Sequence, residues 1–369
     1  MEIQLKTSIS EIDASDWPQG SNILASYELL SLLEESAAIS AKSGWQPLYF
    51  CLYREQALVA VIPSYIKSHS YGEYVFDWAW ASAYQQSGLD YYPKLLTATP
   101  LTPCLAPKWL GDVAPEELAT ALESIKSWCR QQHLSSWHIN FTTPQQAETL
   151  TQSDLYKRLD IQFHWTNRNY HSFDDFLAQL KPKKRRNIKQ ERAKLVKADW
   201  QFERKWAGDM GADEWQLFYE LYSHTFDKKG GWAQLNLDFF LGLSRKLPNN
   251  CLVLFARKQN TTLAAALFFT SDTHLYGRYW GCFEDHAGLH FETCYYQGIE
   301  FAIEQGLQVF EPGAQGEHKL ARGFDPVLTT SFHYIAQPQF AKAIGAWIEE
   351  EKHCIKQRYK GHQQHTAYR

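Results

Sequence analysis

The sequence contains no apolar run that approaches the roughly 18 residues needed for a membrane-spanning helix. Its first residues, MEIQLKTSISEIDASDW, include acids and lack an apolar core segment, so no secretory signal is expected. The seven cysteines are scattered, with no CxxC pair and no Cys/His spacing typical of a zinc site. These absences predict a cytoplasmic protein with reduced thiols, no bound metal and no membrane insertion.

An excess of one charge is also missing, because 37 Lys and Arg stand against 41 Asp and Glu, a formal net charge of −4. A nucleic-acid partner would therefore need a local basic patch. The chain does have length, at 369 residues, and an ordinary globular composition, with 44% hydrophobic residues. That is enough for two domains with cores of their own, although it leaves the oligomeric state open.

An internal repeat is the first positive signal. Residues 48–62, LYFCLYREQALVAVI, and residues 252–267, LVLFARKQNTTLAAAL, each indicate two strands joined by a short polar turn. A third strand is expected after each hairpin, around Tyr71-Gly72 in the first half and Tyr276-Gly277 in the second. Both halves therefore begin with the same pattern.

The similarity continues downstream of the hairpins. Residues 115–131 have helical periodicity and precede a strand-like stretch at residues 136–141. In the second half, residues 290–305 have helical periodicity, and residues 308–311 form the next strand-like stretch. The order hairpin, strand, helix, strand occurs twice, which indicates a duplication.

This order of elements predicts an α/β fold with α+β layers, in which each repeat has a mixed central sheet flanked by helices. The N-terminal module is expected at residues 1–166 and the C-terminal module at residues 167–369. The second module is expected to include a basic helix at residues 181–197 and a C-terminal helix at residues 338–361.

The basic segment at residues 181–197, KPKKRRNIKQERAKLVK, contains nine cations and the single acid Glu191. Ile188, Leu195 and Val196 form one apolar stripe, so the cations are expected to face outward. One interpretation is a solvated helix face. The other is a site for phosphates, from a nucleotide-linked acceptor, a coenzyme pyrophosphate or an RNA backbone.

A glycine-containing loop follows the strand at residues 308–311. Its glycines let backbone N–H groups approach a ligand closely, and its histidine titrates near neutral pH. Acyl transfer to an amine needs a base, groups that stabilise an oxyanion and positioning of both substrates. The candidate bases are Glu311, Glu317 and His318, and the other candidate site residues are Gly313, Gly316, Lys319 and Arg322. A polar loop with a helix cap is the alternative interpretation.

Several segments resemble the FemAB-like branch of the GNAT acyltransferase superfamily. They are SFDDFLAQLKPKKRRNIKQER, LHFETCYYQGIEFAIEQGLQVFEPGAQGEHKLARGFDP, FDWAWASAY and YYPKLL, and together they cover almost the whole chain. The resemblance implies an acyltransferase of the N-acetyltransferase or Fem type. It also implies acetyl-CoA or aminoacyl-tRNA as donor, and an amine acceptor that is a small molecule or a nucleotide-linked or cell-wall-related precursor.

The resemblance also assigns roles to residues. It implies that Lys319 holds the donor or stabilises the oxyanion, and that Asp77 is a further candidate base. The implied acceptor-phosphate ligands are Lys183, Arg185, Arg186 and Lys189. The expected donor-binding residues are Gly313, Gln315, Gly316, Arg322 and Arg278. The chain departs from ordinary acetyl-CoA enzymes because it has no Arg/Gln-x-x-Gly-x-Gly/Ala loop, so both donors stay under consideration.

Two alternatives of other classes stay open beside the enzyme. One is a non-catalytic RNA- or tRNA-binding module that uses residues 181–197, and the other is a scaffold on a degenerate fold. An enzyme needs Glu317, His318 and Lys319 in a cleft, whereas an RNA binder needs only the cations.

Overall fold

The computed structural model describes residues 1–20, 22–228, 230–314 and 316–369. The chain divides into two compact units. Unit 1 comprises Met1–Asp160 and Leu328–Gln357, and unit 2 comprises Ile161–Val327 and Arg358–Arg369.

The strands in the described part of the chain, in order, are β1 (Glu2–Lys6), β2 (Trp45–Arg54), β3 (Ala57–Lys67), β4 (Lys94–Thr97), β5 (Leu110–Gly111), β6 (Ser136–Asn140), β7 (Tyr156–Thr166), β8 (Trp200–Trp206), β9 (Cys251–Lys258), β10 (Thr261–Thr270), β11 (His274–Cys282), β12 (Val309–Glu311) and β13 (Asp325–Ile335).

The α-helices there are α1 (Tyr27–Glu35), α2 (Trp78–Gln86), α3 (Pro115–Gln131), α4 (Pro144–Leu150), α5 (Phe173–Gln179), α6 (Pro182–Lys197), α7 (Ala212–Lys228), α8 (Leu237–Lys246), α9 (Leu289–Phe291), α10 (Gln297–Glu304) and α11 (Pro338–Gln364). A π-helical segment, Glu292–Tyr296, joins α9 to α10, and Glu317–Arg322 forms a 3-10 helix. Within the described residues, no helix combines the length and apolar character required to cross a bilayer.

Unit 1 has a mixed sheet with the order β1-β2-β3-β4-β6-β13, and β5 pairs with β3. Among its pairs of described strands, β4–β6 alone is parallel. The β2–β3 hairpin turns through Glu55 and Gln56, both at positive φ, as a two-residue type I′ turn requires. Helix α3 packs on the sheet through Ala121 and Ile125, which are fully buried.

Unit 2 has a mixed sheet with the order β7-β12-β11-β10-β9-β8, and of the strand pairs that the structure describes there, β11–β12 alone is parallel. Its hairpin β9–β10 also turns through two positive-φ residues, Gln259 and Asn260. Helix α7 packs closely on β11, because a Cβ at Gly281 would lie 2.2 Å from the backbone carbonyl carbon of Leu221. The two units therefore repeat one strand order, as the duplication predicts.

The last strand of each sheet comes from the other half of the sequence. Strand β7 follows the first repeat and pairs with β12, whereas β13 follows the second repeat and pairs with β6. Residues 328–357 accordingly belong to unit 1, which differs from the expected division after residue 166. Without these partners, β6 and β12 would be open sheet edges.

Three local expectations were wrong. Tyr71 and Gly72 lie in a turn, and the third strand of unit 1 is β4, after α2. Val196 is 73% exposed, because it lies about 100° around the helix from the buried Leu195. Helix α11 passes through Gly361 and continues to Gln364.

Candidate active site

The parallel strands β11 and β12 pair over only three positions, ending at Tyr276 and Glu311. A β-bulge lies just beyond this point, because Phe268 of β10 pairs with Gly277, Leu267 pairs with Tyr279, and Arg278 is the extra residue. Bulges redirect a side chain or terminate pairing, and they are frequent next to active sites. The pairing of the two strands therefore ends beside this bulge, where half-buried Arg278 lies.

The segment that follows β12 and contains Gly313 and Gly316, called the glycine loop below, starts where this pairing ends. Gly313 and Gly316 have φ angles of +89° and +113°, which side chains with a Cβ rarely adopt. A Cβ on Gly316 would lie 2.6 Å from the His318 ring, so the position is restricted by space as well. Gln315, an expected donor ligand, lies outside the described residues.

Lys319 binds the backbone of this loop. Its side chain is 2% exposed, and Nζ donates hydrogen bonds to the carbonyl oxygens of Gly313 at 2.8 Å and Ala314 at 3.1 Å. A buried ammonium is costly unless such acceptors surround it. The arrangement therefore fixes the loop and places a positive charge against its backbone, just after the point where β11 and β12 stop pairing.

Glu311 lies at the end of β12 and is almost fully buried. The β7–β12 register places His164 beside it, and His164 Nε2 is 3.7 Å from Glu311 Oε2. Burial, and then the positive charge of Lys319, lower the pKa of His164 to about 3. His164 is therefore neutral near pH 7, and its Nε2–H donates to Gln162 Oε1 at 3.1 Å.

His318 lies on an aromatic surface formed by the helix after β11. Its Nε2 is 3.0 Å from the Tyr295 hydroxyl, and its ring centroid is 5.6 Å from that of Phe291. Loss of solvent, and then the charges of Lys319 and Arg322, lower the pKa of His318. A neutral imidazole beside the loop is suited to accept a proton from an amine.

Glu317 is directed away from this group. It is exposed and forms an ion pair with Arg358 at 3.3 Å, and its carboxylate is 3.5 Å from the His362 ring. Of the three predicted bases in this segment, the structure therefore brings Glu311 and His318 to the loop and Lys319.

Arg322 has internal partners. Nη1 donates to the His318 carbonyl oxygen at 3.0 Å, and Nη2 donates to Glu191 Oε1 at 3.0 Å. The guanidinium carbon is 3.4 Å from the centroid of the Phe291 ring. These contacts link the 3-10 helix to α6, and donor binding by Arg322 stays a prediction.

Helix α6 presents its cations as the sequence suggests, with Ile188 and Leu195 buried. At its start, Lys183 and Arg186 are exposed and Lys184 and Arg185 are half-buried. None of these four side chains has an ion pair or hydrogen bond to a described residue.

Two other cations of α6 are already paired. Lys189 forms an exposed ion pair with Asp174 at 3.0 Å, and Arg192 binds Glu292 and Glu300. Lys189 therefore fits the expected phosphate role less well than Lys183, Arg185 and Arg186.

Asp77 lies in unit 1, at the N-terminus of α2, and is 2% exposed. It accepts hydrogen bonds from Lys94 Nζ and from the Tyr91 hydroxyl, the latter at 2.6 Å. Burial raises the pKa of Asp77, but the Lys94 charge and the hydrogen bonds from Lys94, Tyr91 and Ser70 together outweigh burial and leave the pKa below its usual value. These contacts make Asp77 an ion-pair partner of Lys94 and poorly suited to act as a base.

A family profile described as peptidoglycan biosynthesis/recognition matches residues 8–369. The chain belongs to the FemAB-like family. Family membership and a tandem GNAT fold support a transferase of acyl or aminoacyl groups related to peptidoglycan. Among curated proteins, no match was found.

Solved structures share the fold at low sequence identity. The crystal structure of FemX has a TM-score of 0.54 and 12% identity, over 94% of this chain and 100% of that one. L-PGS from Bacillus licheniformis gives 0.50 and 9%, over 90% and 97% of the two chains. A tandem GNAT protein from the clavulanic acid biosynthesis pathway gives 0.50 and 7%, over 91% and 99%.

In this FemAB-like chain, acids lie where β11 leads into the next helix. Glu284 and Asp285 are exposed in that turn, and Asp285 Oδ1 is 3.6 Å from Cys282 Sγ. A helix start that binds pyrophosphate offers backbone N–H groups to negative charge, and neighbouring carboxylates oppose such binding. This turn therefore does not provide the pyrophosphate-binding site of ordinary acetyl-CoA enzymes, whose loop motif is also absent from the sequence. No cluster of His, Cys, Asp or Glu suited to a metal ion occurs in the described ranges.

Sequence reasoning missed three residues of this site, namely His164, Tyr295 and Tyr296. His164 lies within the β-like run at residues 161–165, where it reads as one polar residue of an apolar strand. The signal for the tyrosines was the pair itself, in the helix that precedes β12 and the glycine loop. Their function depends on the π-helical segment, which the periodicity does not indicate.

Proposed function

We propose that unit 2 transfers an aminoacyl group from aminoacyl-tRNA to an amine of a nucleotide-linked peptidoglycan precursor. The observation that carries this proposal is the loop clamped by Lys319 where β11 and β12 stop pairing. In this proposal the acyl group binds next to that point, with the Lys319 charge and the glycine loop beside it.

The developing oxyanion is the first chemical requirement. When an amine attacks an ester carbonyl, negative charge collects on the carbonyl oxygen, and donors fixed in advance stabilise it. Lys319 supplies a charge that its contacts with Gly313 and Ala314 hold in place. Because it is buried, this charge acts in a medium of low dielectric constant, where its effect is larger than in water.

Proton removal from the attacking amine is the second requirement. His318 is the proposed base, because its lowered pKa keeps the ring neutral around pH 7. The Tyr295 hydroxyl and the Phe291 ring hold the imidazole beside the loop. Glu311 is the second candidate, and a pH profile separates the two.

The choice of donor rests on charge. The turn before α9 carries Glu284 and Asp285, which oppose a pyrophosphate. In contrast, α6 presents the four consecutive cations of residues 183–186 and packs against the 3-10 helix that contains Lys319. A cluster of cations at the start of this helix, unpaired among the described residues, suits the phosphates of an RNA strand.

The experiment compares donors directly. Purified protein is incubated with the nucleotide-linked precursor and either tRNA charged with radiolabelled amino acids or radiolabelled acetyl-CoA. Label transferred from charged tRNA supports the proposal. Label transferred only from acetyl-CoA overturns the assigned donor.

A non-catalytic RNA binder is the second candidate, and the cations of residues 183–186 favour it. Its mark would be salt-dependent tRNA binding without label transfer from either donor, in protein that is demonstrably folded. That outcome would contradict the transferase proposal.

A further inference from the structure

Glu191 is the single acid of the basic helix α6. A solvated helix face would leave this carboxylate in water, but its side chain is only 30% exposed. Oε1 accepts a hydrogen bond from Arg322 Nη2 at 3.0 Å, and Oε2 accepts one from the Tyr296 hydroxyl. Two separate segments therefore meet at this one carboxylate.

The contact through Arg322 leads to the glycine loop. The same guanidinium donates to the His318 carbonyl oxygen, and its side chain is 11% exposed. His318 and Lys319 are neighbours in that 3-10 helix, and Lys319 binds the loop carbonyls. Glu191 therefore lies at one end of a continuous series of polar contacts, and the loop lies at the other end.

The contact through Tyr296 leads to the same histidine by a second route. Tyr295 and Tyr296 are adjacent in the π-helical segment, and Tyr295 is hydrogen-bonded to His318 Nε2 at 3.0 Å. Single-turn π-helical segments are frequent at functional sites. His318 is thus held at its backbone through Arg322 and at its ring through Tyr295, and both paths reach Glu191.

We infer that Glu191 is a positioning residue, which couples anion binding on α6 to the placement of His318 and Lys319. Its cationic neighbours at residues 183–186 lie about two turns away on the same helix. Phosphate bound there fixes α6, and Glu191 carries that constraint to the 3-10 helix. The kinetic consequence rests on the proposed function, whereas the contacts do not.

The inference predicts that transfer is impaired while RNA binding is not. Removing the Glu191 charge makes α6 more basic, so RNA binding strengthens or stays constant. The same change releases Arg322 and Tyr296, so transfer slows. A merely structural role would weaken binding and transfer together.

The test compares Glu191→Gln with Asp174→Asn. Asp174 is the acid that pairs with Lys189, so its removal also makes α6 more basic without touching Arg322. Three measurements are made on each variant: kcat for transfer, the Kd of uncharged tRNA, and amide hydrogen exchange in residues 317–323. The last does not require any transfer activity.

We expect Glu191→Gln to lower kcat about tenfold, the effect of roughly one charged hydrogen bond. Its Kd for uncharged tRNA should not rise, and exchange in residues 317–323 should become faster. Asp174→Asn should leave kcat and exchange unchanged. Equal exchange in the two variants, or a raised Kd in Glu191→Gln, would overturn the inference. If exchange is faster in Glu191→Gln but the parent protein itself shows no measurable transfer, the positioning role of Glu191 is supported and only the proposed reaction is rejected.

Discussion

Lys319 Nζ lies 2.8 Å from the carbonyl oxygen of Gly313, across a loop that begins where two parallel strands stop pairing. The contact joins a buried charge to the backbone of a glycine at positive φ. It places the ammonium directly against the loop backbone. The predictions below depend on this arrangement.

The glycine loop should not accept side chains. Gly316→Ala would add a Cβ 2.6 Å from the His318 ring, at a φ of +113° where strain of about 1–3 kcal/mol is typical. We expect transfer to fall at least tenfold and the melting temperature to decrease. Gly361→Ala is the matched control, because its Cβ meets nothing within 4 Å and it lies in helix α11.

For that control, we expect a gain of about 0.5–1 kcal/mol in the free energy of unfolding and no change in transfer, because alanine stabilises a helix interior relative to glycine. If Gly316→Ala behaved like Gly361→Ala, the loop could not be the tightly fixed element described above.

The decrease of the transfer rate at acid pH, called the acid limb below, should result from protonation of His318. Loss of solvent and two neighbouring cations lower the pKa of His318, so the neutral base should persist below pH 6.5, its ordinary value. We expect kcat/KM to decrease only when pH falls further. His318→Asn should lower the rate by roughly 10²–10⁴-fold, the usual contribution of a general base, and remove this limb.

Glu311→Gln serves as the comparison. It should retain the acid limb even if the rate falls, because the histidine is still present. If the acid limb survives in His318→Asn and disappears in Glu311→Gln, Glu311 is the base and His318 is not.

Stability should decrease in acid through buried neutral histidines. The pKa of His164 is about 3 in the folded protein and about 6.5 in an unfolded chain. Between these values the unfolded state binds more protons, so stability rises with pH and is lost as pH falls from about 6.5 towards 3. Below the folded pKa, no further loss comes from this group. Burial likewise lowers the pKa values of His138 and His333.

Thermal unfolding at a series of pH values measures this effect. We expect His164→Gln to reduce the slope of unfolding free energy against pH by roughly 1.4 kcal/mol per pH unit in that window. The exposed His353→Gln should leave the slope unchanged. Equal slopes in the two variants would show that His164 does not stay neutral on folding.

Cations at the start of α6 should bind phosphate. We expect the single variants Lys183→Ala and Arg185→Ala each to raise the Kd for tRNA and to reduce its salt dependence by roughly one unit of log–log slope per lost contact. The effect on kcat should be smaller, because these residues lie outside the loop. Lys197→Ala is the control, at the far end of the same helix, about 20 Å away.

Binding that weakened equally in all three single variants would indicate nonspecific attraction to the whole helix. Unchanged binding in the Lys183 and Arg185 variants would remove both residues from the site.

Local signals predicted much of the fold. Two-residue turns at Glu55-Gln56 and Gln259-Asn260 are set by neighbouring residues, so both hairpins were predicted. Helix α6 followed from Pro182 and from the spacing of Ile188 and Leu195. These features need no information from distant parts of the chain.

Non-local pairing limited the rest. Strands β7 and β13 join sheets built from the other half of the sequence, and strand periodicity does not reveal its partner. The family resemblance implied that Asp77 is a base, and its buried ion pair with Lys94, 17 residues further along the chain, forms only on folding. Glu191 was treated as one more residue of a charged helix, since its contacts with Arg322 and Tyr296 exist only after folding.

The most direct test of the account is single-turnover transfer from aminoacyl-tRNA to the nucleotide-linked precursor, with Lys319→Met beside the parent protein. Lys42→Met controls for loss of an exposed lysine in unit 1. The account predicts a rate lowered about 10²–10³-fold in Lys319→Met, as for loss of a preorganised oxyanion donor, with tRNA binding and folding retained. Lys42→Met should transfer at the parent rate. An unchanged rate in folded Lys319→Met would contradict the central claim that the clamped loop is the catalytic centre.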